Sequence, residues 1–172
     1  MFYYNKAAFT KTPQIEEGVY IKSGAVITGD VHIGTGSSIW HNAVLRGDTG
    51  PIRIGRRVNI QEGCVLHLDP DGPIVDVGND VTVGHTSILH GCTVGHATLI
   101  GMGSIILDGA VIGHDCIIGA GSLVTHNTVI PSGMLALGRP AKVVRPLTME
   151  EMVFNVRGAL DYLQLAVHTA DQ

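Results

Sequence analysis

The sequence predicts an all-β solenoid of short strands followed by one C-terminal helix. Three observations predict it. Glycine supplies 23 of the 172 residues, about 13% against roughly 7% in ordinary proteins. Branched aliphatic residues recur every six positions over most of the chain. A helical spacing of apolar residues begins only beyond Thr148.

Residues 1–17 precede the repeat and read as an N-terminal segment. The expected solenoid, residues 18–137, starts its register at Ile21, Ile27, Ile33, Ile39 and Leu45. The register resumes at Ile54, Ile60 and Leu66, then at Val77, Val83 and Leu89. After a step of five it continues through Val94, Ile100, Ile106, Ile112, Ile118, Val124 and Ile130. Glycine often follows the aliphatic, and a small or β-branched residue such as Ala43, Cys64, Ser87 or Cys116 sits four places on. Neither a 3.6 nor a 2.0 period gives this pattern; short strands between tight turns do, with one large and one small side chain turned inward per repeat. Cys64, Cys92 and Cys116 are then small core fillers, and their odd number without CxxC spacing suggests neither disulfides nor a zinc cage. Trp40 and Phe154 are assigned to packing. Residues 138–172 make a connecting segment, GRPAKVVR, and an amphipathic helix opened by a Thr148–Glu151 capping box. Its stripe of Met149, Val153, Val156, Leu160, Leu163 and Val167 should lie on the solenoid or on a neighbouring subunit.

The repeat resembles the hexapeptide of left-handed parallel β-helices, which implies three strands per triangular coil of 18 residues and about six coils from Ile21 to Ile130. Such a chain should fold as one domain. Its net charge of −4, with no continuous basic stretch, removes the electrostatic footprint of a nucleic-acid partner. No apolar run approaches the roughly 18 residues of a membrane span, and the N-terminus lacks a basic region followed by an apolar stretch, so no membrane partner and a cytoplasmic location are expected.

Chemistry is sought where the repeat breaks. His67 and His90 directly follow inward aliphatics, and His85 comes one place later, after Gly84. Counting three repeats from Leu66 to Val83 places His67 and His85 on one face of successive coils, with His90 one face further round. An extended chain advances about 3.3 Å per residue, which puts His85 and His90 more than about 10 Å apart, too far to share one zinc within a chain. Across a subunit interface they can. His32, His41, His96, His114, His126 and His168 fall at outward or turn positions and read as surface residues.

The segments RGDTG (Arg46 to Gly50), NIQEGCVLH (Asn59 to His67) and VGHTSILHG (Val83 to Gly91), with GMGSIILDGAVIG and GRPAKVVR, resemble the γ-class carbonic anhydrase family. The resemblance covers nearly the whole chain. It implies reversible hydration of carbon dioxide to bicarbonate in a homotrimer, with His67 and His90 of one subunit and His85 of its neighbour ligating Zn2+, or alternatively Fe2+ or Co2+. Three neutral imidazoles leave an open coordination position, and the cation lowers the pKa of water there to about 7. Arg46 and Asp48 match an interface pair, the arginine near the anionic product. By the same resemblance Asn59 and Gln61 would line the pocket and orient the water. Glu62 stands where the best-known member has aspartate, and the acidic loop that carries that member's proton shuttle is reduced to LDPDGP, which leaves Glu62, ahead of Asp69 and Asp71, as the candidate to export the proton. Tyr162 could reach over the pocket from the terminal helix. Two further readings share the fold: an acyltransferase with one histidine as base, and a metal-stabilised trimeric scaffold without catalysis.

Overall fold

A computed structural model describes residues 11–169. Residues 1–10 of the expected N-terminal segment and residues 170–172 lie outside the described residues. The remainder is a β-helix whose strands stack in parallel, and strand order within each face skips by one coil at every step. The helix face holds Tyr20–Ile21, Ser38–Ile39, Asn59–Ile60, Thr82–Val83, Leu99–Ile100, Ile117–Ile118 and Met134–Gly138. The second face holds Val65–His67, Ile88–His90, Ile105–Ile106 and Leu123–Val124, and the third holds Gln14–Ile15, Val75–Val77, Thr93–Val94, Val111–Ile112 and Val129–Ile130. Two long strands, Val26–Ile33 and Val44–Ile54, bend across from the second face to the third. Gln14–Ile15 and Met134–Gly138 extend the stack beyond the repeats, so it makes about seven turns rather than six.

Sixteen of the eighteen register aliphatics are 2% exposed or less and form one continuous column. The exceptions, Ile21 and Ile27, belong to the first coil. Each fully buried aliphatic contributes about 1.5–3 kcal/mol, but only when the next coil covers it. The glycine after the aliphatic is there because the corners stack closely: a Cβ on Gly101 would stand 2.5 Å from the Ala120 backbone nitrogen. Cys64, Cys92 and Cys116 fill buried inward positions, and burial pushes the Cys64 and Cys92 thiols up to about 11 and about 12.

GRPAKVVR turns back as Ala141–Pro146, antiparallel to Met134–Gly138. Helix α1, Met149–His168, then starts on the expected capping box. On the solenoid, its docking face is mainly not the expected apolar stripe. The residues it buries are Asn155, Ala159 and Ala166, while Met149, Val153, Leu160 and Val167 are exposed and Phe154, expected in packing, is 64% exposed. Small residues let the helix backbone approach the solenoid, where Asn155 Nδ2 donates to the carbonyls of Ala97 and Cys116. At the other end Lys22 Nζ donates to Thr169 O and Oγ1, placing a cation at the negative end of the helix dipole. Trp40 packs edge-on against Tyr162 at 5.5 Å. None of the described helices is long and apolar enough to cross a membrane.

Candidate metal centre

The departures from the six-residue period fall at one corner, where the second face turns into the third. Leu45 to Ile54 is nine residues, Leu66 to Val77 eleven and Leu89 to Val94 five. The extra residues of the middle step correct the histidine register. A full coil there runs from Leu66 to Leu89, so His67 pairs with His90 on adjacent strands, and His85 is the one that lies a face away.

The corner carries a column of polar side chains one coil apart. His67 Nδ1 is 3.3 Å from His90 Nε2, with ring centroids 5.4 Å apart. His67 Nε2 lies 3.2 Å from Asp48 Oδ1 and 3.3 Å from Thr49 Oγ1, whose own hydrogen is given to Leu68 O. Nε2 therefore carries the proton, and the Nδ1 lone pair faces His90. His90 Nδ1 lies 2.9 Å from both carboxylate oxygens of Asp108, which likewise leaves the lone pair on Nε2. Burial and then the Arg46 charge hold the His67 pKa below its ordinary value, keeping the ring neutral. Two acceptor nitrogens at this separation repel one another unless a cation or a donor lies between them, and ligand nitrogens about 2.0–2.1 Å from a tetrahedral ion sit about 3.3–3.4 Å apart. The residues present fit a metal.

Asp69 Oδ1 lies 4.0 Å from His90 Nε2, and Asp69, His90 and Asp108 offer ligand atoms all within 4.8 Å of one another. Asp71 sits in the loop turn with φ +61°. Arg46 Nη1 donates to Asp48 Oδ2 at 2.7 Å within the same chain, and Arg46 is half exposed. Burial alone would raise the Asp48 carboxyl, but Arg46 and His67 together keep it below the usual carboxylate range.

His85 stands at a different corner, in the turn between the helix face and the second face. Glu62 Oε2 is 2.7 Å from its Nδ1 but off the line of a hydrogen bond, so that oxygen is buried without a donor. Gln61 does not point an idle amide outward: its Oε1 accepts from the His85 backbone nitrogen and its Nε2 donates to Asn59, which donates in turn to Thr82. Gln61 and Asn59, both buried, brace the His85 turn. A cavity of about 440 Å³, mostly apolar, adjoins His85 and is lined by Gln61, Met102, Phe154 and Tyr162 among others. Tyr162 is thus at this corner, and burial raises its pKa, with the Glu62 charge adding to the effect.

The strand Ile88–His90 joins the two corners. The face it belongs to turns outward an aligned ladder of Val26, Val44, Val65, Ile88, Ile105 and Leu123, of which Val26, Val65 and Ile88 are exposed. Asp108 is the functional candidate that sequence reasoning missed. Its signal was spacing, since it follows His90 by 18 residues, one more than the 17-residue coil that pairs Leu89 with Ile106.

Comparison with known proteins agrees with this architecture. The model of bacterial transferase hexapeptide (six repeats) matches residues 12–47 and 91–126. A carbonic anhydrase of Geobacillus kaustophilus is 54% identical over 90% of this chain and 84% of its own length. Gamma carbonic anhydrase 1, mitochondrial, of Arabidopsis thaliana is 42% identical over 95% of this chain, which spans only 62% of that protein. The crystal structure of a hexapeptide transferase family protein from Anaplasma phagocytophilum superposes with a TM-score of 0.86 at 40% identity, covering 91% of this chain and 92% of that one. The chain belongs to the γ-class carbonic anhydrase-like family of hexapeptide-repeat proteins.

Proposed function

We propose that this protein hydrates carbon dioxide reversibly at a divalent metal held between the subunits of a homotrimer, with His67 and His90 supplied by one subunit and His85 by the next. The observation that carries the reading is the position of the two half-sites at opposite edges of one exposed apolar face. Three copies that turn this face to a common axis bury the Val26–Leu123 ladder and bring each His85 edge to a neighbour's His67–His90 edge. His67 is backed by the Asp48 carboxylate, an arrangement that fixes ring orientation in metal sites. The names of relatives such as the Geobacillus kaustophilus carbonic anhydrase support the substrate.

A divalent cation with three imidazole ligands and an open fourth position supplies, when bound, a water acidified to near neutral pH. The chain does the rest. Asp48 holds the His67 ring in the tautomer that presents its lone pair to the site. Gln61 and Asn59 fix the turn that carries His85. The apolar cavity beside His85 admits an uncharged substrate and disfavours an ion, while the half-exposed Arg46 guanidinium attracts the bicarbonate anion. Zinc suits this ligand set best, and iron(II) or cobalt(II) can use the same atoms.

The likeness to a hexapeptide transferase family protein favours acyl transfer as a second reading. Metal analysis of anaerobically purified protein beside stopped-flow hydration of carbon dioxide separates the readings. The proposal expects a metal for each subunit and hydration that disappears on chelation. Metal-free protein with acyltransferase activity contradicts it, and a fully loaded site without hydration leaves a scaffold.

A further inference from the structure

The metal reading uses His90 as a ligand but leaves open what aims it. We infer that Asp108 is the positioning residue for His90, holding its ring in the Nδ1-protonated tautomer so that Nε2 is presented to the metal; this rests on the proposed function above. The first observation is the contact itself, with both carboxylate oxygens 2.9 Å from His90 Nδ1. The second is the room made for it. Gly91, directly after His90, has φ +50°, and a Cβ there would stand 2.4 Å from Asp108 Oδ1. A side chain at this position would displace the carboxylate, so the glycine serves the pair as well as the turn. The third is how the carboxylate is anchored. Asp108 O accepts from Asn127 N, and Gly109 N donates to Gly91 O, which ties the Asp108 turn to the His90 turn one coil below. His126 Nε2, 3.6 Å from Asp108 Oδ2, covers its far side from an exposed position.

The ring nitrogen that carries the proton is set by the hydrogen bond the other nitrogen makes or lacks. Without Asp108, His90 is free to protonate Nε2, and the lone pair then points away from His67. Asp108 touches neither substrate nor metal; it acts through His90.

The test has two readouts on the full-length trimer. Long-range proton–nitrogen correlation on metal-free, 15N-histidine-labelled protein reports the tautomer of His90, assigned by its loss in His90→Gln. Wild type should show Nδ1 protonated, and Asp108→Ala should move the proton to Nε2. Asp108→Asn, which keeps an acceptor without the charge, should retain Nδ1 protonation in part, and it serves alone if the alanine variant does not fold. Competition with a chromophoric chelator for cobalt(II) should then show affinity falling about 10- to 100-fold in Asp108→Ala, with Asp108→Asn between. An Asp108-dependent tautomer in a protein that binds no cobalt sustains the positioning role and refutes the metal site. Equal cobalt affinity in wild type and variants, or a tautomer that ignores Asp108, overturns the positioning role and leaves the metal site standing.

Discussion

His67 and His90 are register partners on adjacent parallel strands, and their facing ring nitrogens stand 3.3 Å apart. The separation along the chain is 23 residues rather than 18, because the corner between them, Leu66 to Val77, takes eleven residues where the period takes six. Both side chains leave the strand outward, so the pair sits on the solenoid without being part of its core.

His90→Ala is therefore expected to abolish metal binding and hydration while leaving the β-helix intact. No core cavity opens, since the inward residue of that strand is Leu89, fully buried. Circular dichroism and thermal melting with metal excluded from both samples check this. A wild-type melting curve is expected, and an unfolded variant would contradict the outward placement.

Ile112→Asp should abolish folding. Ile112 is 1% exposed and stacks between Val94 and Ile130. An unpaired carboxylate there costs several kcal/mol against a total stability of about 5–15 kcal/mol. A soluble variant with an unchanged melting temperature would refute the column of inward aliphatics.

Asn155→Ala tests how α1 is held. The Cys116 carbonyl keeps its partner Leu99 N, so the main loss is the donor to Ala97 O, worth about 1–3 kcal/mol for a buried acceptor left unpaired. The helix amides should exchange faster by hydrogen-exchange mass spectrometry while the solenoid's do not. Uniform protection of α1 in the variant would show that its docking rests elsewhere.

The solenoid core is legible in the amino-acid sequence because a solenoid repeats the same environment, and away from the one corner with steps of nine, eleven and five residues the inward aliphatics from Ile33 to Ile130 keep the six-residue period. The seventh turn is less legible, because Ile15 and Ala136 continue the six-residue spacing by one step at each end but Ile15 lacks the following glycine and alanine carries little hydrophobic signal. The pairing of His67 with His90 escapes a simple count of repeats because the corner insertion hides one step of the register. The docking face of α1 departs from the apolar stripe because close approach selects Ala159 and Ala166, which carry little hydrophobic signal, over larger residues. Asp108 resembles any aspartate before a turn glycine; only its column with His90 and His126 distinguishes it.

Proton export should limit turnover. Glu62 lies beside His85, and the short loop after His67 adds only Asp69 and Asp71, of which Asp69 lies 4.0 Å from His90 Nε2. Turnover should rise with imidazole buffer concentration while kcat/KM, which reports hydration itself, stays constant. Turnover independent of buffer would reveal an internal relay.

The central claim is that each site is completed by two chains, and subunit mixing tests it most directly. His85→Ala and His90→Ala subunits, each inactive alone, are co-expressed with different tags and the mixed trimers isolated. A His85→Ala subunit still offers His67 and His90, and a His90→Ala subunit still offers His85, so every mixed trimer contains one complete site. Random assembly then restores about a quarter of the wild-type metal content and hydration across the whole population. Mixed trimers with no more metal or activity than the parent variants would contradict the account.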